Sequence, residues 1–289
     1  MIPVLEVGGS HVSAALVDSE SWTVLGARRH RLDASETADE IVATIVAAGA
    51  ELDVEPGAAW GIAMPDPFDY DHGIALFRDV GKFDALYGVD IDGALRDALP
   101  QQPSTCVFRN DADLFVLGEW TSGAAEGAHR CVGVTIGTGL GTGWLVDGHI
   151  VVDEPGVPEL GRARTILLDE ESLEESVSTR GIKRAYVRHG GHDADVAEIA
   201  RRAYDGESAA RSAFATAGAA LGRGLARPLR EFRPDVVVLG GSIAKSWSLI
   251  EPSFRDGIDW AHAPPVALAH HPDDAALRGA ARATVSERR

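Results

Sequence analysis

The sequence predicts an α/β protein of two lobes, each a mixed sheet flanked by helices. Three observations carry this reading. The first part of the chain runs strand, strand, strand, helix, strand, helix, strand, with apolar runs of strand length alternating with amphipathic stretches. The second half then opens as the first did. Laid without gaps under LEVGGSHVSAALVD (5–18), the segment VTIGTGLGTGWLVD (134–147) sets Ile136 on Val7, Gly137 on Gly8, Leu145 on Leu16, Val146 on Val17 and Asp147 on Asp18. A strand, glycine turn, strand and Asp turn recurring at one phase indicates a duplicated unit. Finally, three strands end in glycine turns: Gly8-Gly9-Ser10, Gly137-Thr138-Gly139 and Gly240-Gly241-Ser242.

The elements follow in order. Val4–Val7, Val12–Val17 and the region 23–31 read as strands. A helix follows, because Thr37 and Glu40 have capping-box spacing and Ile41, Ile45 and Val46 share a face. AAWGIAMP is a buried strand stopped by Pro65; Asp90–Leu99 reads as a helix, Thr105–Arg109 as a strand and Asp113–Trp120 as a helix. After the second hairpin an acidic, irregular stretch, PELGRARTILLDEESLEE, leads into helical segments at 173–188, 196–204 and 207–232. PDVVVLGGSI is a buried strand, 266–268 a short one and 273–286 an alanine-rich helix. No low-complexity linker separates the halves, so the expected lobes are 1–109, joined by the C-terminal helix 273–289, and 110–272.

Bulk properties narrow the function. A formal charge of −17 with no basic run disfavours nucleic acid or an anionic membrane as partner. Two cysteines, Cys106 and Cys131, in unrelated apolar contexts give no disulfide framework and no zinc-ligand spacing, as suits a reducing cytoplasm. No leader opens the chain and no apolar run reaches membrane-spanning length, so a cytoplasmic protein is expected.

Glycine turns expose backbone N–H groups that phosphate oxygens can reach; the plain alternative is an ordinary hairpin turn. A dinucleotide loop needs Gly-x-Gly-x-x-Gly between strand and helix, whereas GTGLGTG has its third glycine out of phase and leads into a strand. The Walker lysine pattern is absent as well. Two lobes, each with a phosphate-sized turn, leave the cleft between them as the expected site for a polyphosphate.

This arrangement resembles the actin-like ATPase (ribonuclease H-like) fold, and the motifs resemble one family within it. FRNDADLFVLGEW, with Asn110-Asp111 before a helix and Gly118-Glu119 in it, is similar to the Asn-Asp motif of the ROK family, the bacterial glucokinase-type sugar kinases and related repressors. LEVGGSH stands where that family has Asp-x-Gly-Gly-Thr-Lys, and GIAMPDPFDYDHGI resembles its Pro-Gly-Pro segment. TIGTGLGTG resembles its second phosphate motif, PELGR its Gly-Glu-x-Gly-His, and VVVLGGSI its adenosine motif. Six motifs fall in family order across nearly the whole chain.

The resemblance implies an ATP- and Mg²⁺-dependent transfer to the 6-hydroxyl of a hexose. Asp111 is then the general base and, with Asn110, a holder of sugar hydroxyls; the plain alternative is a helix N-cap. Glu159 and Glu174 match positions that bind sugar hydroxyls, against the alternative of a solvated acidic loop. Gly8, Gly9, Ser10, His11, Gly137, Thr138, Gly139, Gly240 and Gly241 are the expected nucleotide contacts. Glu6 is the expected Mg²⁺-side carboxylate, acting directly or through water. By the same analogy the lobes close on sugar.

Departures from the family are specific. Glu6 replaces Asp, Ser10 replaces Thr, His11 replaces Lys, and Asp66 replaces a glycine. Arg162 stands at the zinc-ligating His, and the expected cysteine run is missing from ARTILLDEESLEE, so no structural zinc is expected and Arg162 is expected to pair with a carboxylate instead. Arg162 and Asp66 beside the sugar pocket leave glucose, mannose and amino sugars such as kanosamine, used in antibiotic pathways, open as acceptors. Rival readings are a ROK-type repressor, for which Met1 runs too directly into the first strand, and a sugar-sensing pseudokinase. The family also makes a homodimer a possible assembly. His270-His271 before Pro272 reads as a surface turn, and Lys82-Phe83 either borders the sugar site or packs against its lobe.

Overall fold

The computed structural model describes residues 1–287; Arg288 and Arg289, the end of the expected C-terminal helix segment, lie outside them. The chain forms two compact units, Met1–Gly123 with the segment from Asp273, and Ala124–Pro272.

In the first unit, β1 (Ile2–Gly8), β2 (His11–Val17) and β3 (Val24–Arg31) form an antiparallel meander. Helix α1 (Ala38–Ala50) starts with the expected capping box, Thr37 and Glu40 each satisfying the other's backbone N–H. Strand β4 (Ala59–Met64) pairs parallel with β1, and the short hairpin β5 (Phe68–Asp69) and β6 (Ile74–Ala75) leads to α2 (Ile91–Ala98). Strand β7 (Thr105–Asn110) pairs parallel with β4 and runs straight into α3 (Asp111–Ser122). The sheet order is β3-β2-β1-β4-β7. This unit extends past position 109 because α3 packs along the C-terminal helix (Ala275–Glu287).

The second unit contains β8 (Arg130–Ile136), β9 (Leu140–Val146), β10 (His149–Ile150), β11 (Leu167–Leu168) and β12 (Glu171–Ser172). Helices α4 (Leu173–Val177), α5 (Thr179–Arg188), α6 (Val196–Tyr204) and α7 (Ser208–Phe232) follow, then β13 (Val236–Gly240), α8 (Trp247–Ile258) and β14 (Val266–Leu268). Its sheet order, β10-β9-β8-β13-β14, repeats that of the first unit strand for strand, with the same antiparallel and parallel pairs. The duplication read from the hairpins therefore extends to whole sheets.

Two details differ from the sequence expectation. The segment 173–188 is two helices, not one. Ser178 between them is extended, and the N–H of Thr179 donates to the Gly137 carbonyl at 2.8 Å. The helix is interrupted where its backbone holds a glycine turn.

The gap-free match of the hairpins also slips by one residue after the turn. Gly8 pairs with His11, leaving two residues in the first loop, whereas Ile136 pairs with Leu140, leaving three in the second. The extra residue reverses which positions face inward: Val12 is buried and His11 is not, while Leu140 is buried and Gly141 is not. Leu145, Val146 and Asp147 are thus displaced by one place in the sheet from Leu16, Val17 and Asp18.

Candidate active site

In the first unit the candidate residues gather at the carboxyl ends of the parallel strands, the end where open α/β sheets bind ligands. Glu6 and Gly8 lie on β1, Asp66 follows β4, and Asn110 ends β7. Asn110 caps α3: its side-chain oxygen accepts from the N–H of Ala112 at 3.0 Å and of Asp113 at 3.4 Å. Its amide donates to the Tyr70 hydroxyl at 3.2 Å, and that hydroxyl is placed to donate to the Met64 carbonyl at 3.1 Å and to Asp66 at 2.9 Å. Asp66, Tyr70 and Asn110 are therefore one hydrogen-bonded chain joining β4 to β7. Burial first, then the Asp66 carboxylate, holds the Tyr70 phenol above its ordinary range, so it stays a neutral donor. Asp111 accepts from the Ala112 N–H at 2.8 Å, at the positive end of α3.

Glu6 is a strongly perturbed carboxylate. Burial, then repulsion by Asp111, pushes it up to about 7; Arg29 opposes this and Asp274 adds to it. His11 is moved the other way, below 6.5, by burial and by Arg29, whose guanidinium donates to Nδ1 at 2.9 Å.

The second unit brings two of the three glycine turns together. A Cβ on Gly137 would stand 3.4 Å from the Ser242 hydroxyl, and one on Gly241, at φ +83°, would collide with the backbone of Ile136. No side chain fits at Gly241, and the turns of β8 and β13 are in direct contact. Glu174 joins them. It accepts from the Leu140 N–H at 2.9 Å, and its Oε2 is 2.7 Å from where a Cβ on Gly139 would stand. Arg180 lies 3.6 Å from the same carboxylate.

Glu159 and Arg162 belong to a tight turn against β9. The Gly161 carbonyl there accepts from Thr142 at 2.6 Å and from the Trp144 indole at 3.0 Å, while Thr142 accepts from the Ala163 N–H at 3.0 Å. Arg162 donates to the Thr142 carbonyl at 3.4 Å, so a backbone carbonyl takes part in holding the loop. Glu159 is exposed.

The pattern of the ROK family matches residues 3–286. The chain belongs to the ROK family. It is glucokinase-like: identity to the glucokinase of Thermotoga maritima is 25% over 281 residues, covering 88% of this chain and 86% of that one. The N-acetyl-D-glucosamine kinase of Photobacterium profundum is 25% identical over 300 residues, 96% of each chain. Among solved structures, a ROK family glucokinase from Streptomyces griseus in complex with glucose and AMPPNP superposes with a TM-score of 0.76 at 22% identity. That match covers 97% of this chain and 98% of that one.

Within this ROK chain, no group of three or more His, Cys, Asp or Glu among the described residues is arranged to hold a metal ion. Magnesium asks for less, since it keeps several waters and takes phosphate oxygens alongside one or two carboxylates. Glu6 and Asp111, two carboxylates close enough to repel one another, are the residues that would hold it.

A pH test follows. Glu6 has its folded pKa raised from 4.5 to about 7, so the native state binds the extra proton and loses stability as pH rises through that window. In EDTA, Glu6→Gln removes this loss: its Tm exceeds wild type at pH 8 and falls back toward it at pH 5. Equal Tm differences at both pH values in calorimetry would contradict the assignment.

Sequence reasoning missed Tyr70, Arg29 and Asp274. Tyr70 meets Asn110 from 40 residues earlier in the chain, and Asp274 precedes the C-terminal helix, far along the chain from Glu6. No local spacing links such partners.

Both cysteines are pushed up to about 12, chiefly by burial, which fits unreactive interior thiols.

Proposed function

We propose that this ROK protein is an ATP-dependent kinase of a hexose 6-hydroxyl. The observation that carries the reading is the division of labour at the β7–α3 junction. Asn110 is the N-cap and reaches both Ala112 and Asp113, so Asp111, which shares only the Ala112 N–H, stands at the positive end of α3 beside Glu6 without being the cap. In this reading Asp111 accepts the hydroxyl proton. Asn110 and Asp66, oriented by Tyr70, with Glu159, Arg162 and Glu174, bind the sugar.

The turns at Gly8-Gly9-Ser10-His11, Gly137-Thr138-Gly139 and Gly240-Gly241 bind nucleotide. The contact between the last two supports a shared nucleotide site. Mg²⁺ at Glu6, when bound, would spread charge over the phosphates.

The relatives support plain and N-acetylated hexoses, and Arg162 and Asp66 keep amino sugars such as kanosamine in view. The test is a panel of glucose, mannose, N-acetylglucosamine, glucosamine and kanosamine with MgATP, read as kcat/KM. One hexose is expected to exceed the rest by about tenfold or more, the range one or two specific polar contacts supply. Sugar binding by calorimetry without ATP-dependent phosphorylation of any of them would favour the second reading, a sugar sensor. Glu6 in place of the family's Asp, its pKa raised by burial and Asp111 to about 7, is what supports that rival. If kanosamine performs no better than glucose, the amine idea fails.

A further inference from the structure

The first glycine turn has lost its neighbouring lysine, since His11 occupies that place, and His11 does not replace the charge. Its ring accepts from Arg29 at 2.9 Å and sits below its ordinary pKa, so it is neutral at pH 7.

A lysine reaches the same turn from elsewhere. The Cδ of Lys82 lies 3.7 Å from where a Cβ on Gly9 would stand, so the stem of Lys82 runs across the turn. Among the described residues Lys82 has no carboxylate within 4.0 Å, in a chain of net charge −17. The loop that carries it is fixed at both sides. Phe83 is fully buried, its ring 5.1 Å from that of Phe77, and its N–H donates to the Ala34 carbonyl at 2.8 Å. Asp84 accepts from the N–H groups of Val80 at 3.1 Å and Gly81 at 3.2 Å. Phe83 and Asp79 adopt left-handed φ values of +60° and +58°, conformations that only such anchoring holds in place. Phe83 thus packs into its unit while Lys82 stays exposed over Gly9.

We propose that Lys82 is the phosphate-binding cation of the Gly8-Gly9-Ser10 turn, contacting the terminal phosphate of the bound nucleotide. The proposal rests on the kinase reading for its role in turnover, but the phosphate contact itself does not require catalysis. A lysine ammonium is a compact charge on a flexible stem, suited to following a phosphoryl group rather than gripping it in a fixed fork.

The test pairs Lys82→Ala with Lys82→Arg, and with Arg29→Ala as the rival cation. Two readings are taken: kinetics with MgATP and the hexose the panel selects, and inorganic tripolyphosphate binding by titration calorimetry. Lys82→Ala is expected to lower kcat roughly 10- to 100-fold, as loss of one charged stabiliser does, with the sugar KM within about twofold. Tripolyphosphate binding weakens about fivefold or more, and Lys82→Arg restores most of it. Lys82→Ala values within twofold of wild type in both measurements overturn the proposal. So does an effect shown by Arg29→Ala alone, or a wild-type chain that binds no tripolyphosphate. If the wild type phosphorylates no hexose yet binds tripolyphosphate through Lys82, the kinase reading fails and the phosphate contact stands.

Discussion

Asp111→Asn lowers kcat for hexose phosphorylation by roughly 10²–10⁴-fold while sugar and nucleotide still bind, the loss typical of a removed general base. The substitution keeps size and one acceptor oxygen while removing the negative charge and the capacity to take a proton. It also leaves the helix start intact, because the cap is Asn110, bonded to Ala112 and Asp113 at 3.0 and 3.4 Å. Its Tm should therefore stay within a few degrees of wild type, which separates lost chemistry from lost structure. Asn110→Ala is the contrasting variant: it removes the cap, about 1 kcal/mol, and the tie to Tyr70 together. A second consequence is electrostatic. Asp111 is the leading charge that raises Glu6, so Asp111→Asn lowers the Glu6 pKa from about 7, which carbon NMR of labelled glutamate would follow. Unchanged turnover in Asp111→Asn removes it from the mechanism.

What the chain makes legible follows from the range over which each signal acts. The capping box at Thr37 and Glu40, the buried strand 59–64 and the existence of a hairpin at each of Gly8 and Gly137 depend on neighbours within a few residues, and they are present as read. The Asn110-Asp111 pair left two roles open; the structure makes Asn110 the N-cap, while Asp111 also accepts from the Ala112 N–H. The failures are tertiary. Nothing near Ser178 announces that the helix must open to bond Gly137 from Thr179. The one-residue slip in the second hairpin is invisible to a gap-free comparison because glycines on both sides of Thr138 let either register look equivalent. Tyr70 and Asp274 enter the site through contacts that bridge elements, where sequence spacing carries no information.

The position of Asp111 also depends on helix packing, and this yields a large expected effect on stability. Gly118→Ala is expected to destabilise the first unit by about 3 kcal/mol, at the upper end for overpacking, and to lower Tm by roughly 6–12 °C. In an open helix the same change would stabilise by up to about 1 kcal/mol, so even the sign tests the packing. A Cβ on Gly118 would collide with the backbone of Ala275, one on Gly279 with the backbone of Leu114, and one on Gly61 with Ala280. The C-terminal helix thus lies on α3 and β4 backbone to backbone, with no side chain free to yield. Gly279→Ala should cost a similar amount. The double variant should cost less than both together, because once the helices separate the second methyl enters space already opened. Since α3 carries Asn110 and Asp111 at its first turn, both single variants also lose turnover beyond what their folded fraction explains. Calorimetry with urea titration measures the first effect and kinetics at 15 °C the second. A Gly118→Ala protein as stable as wild type would mean that α3 and the C-terminal helix do not meet at these glycines.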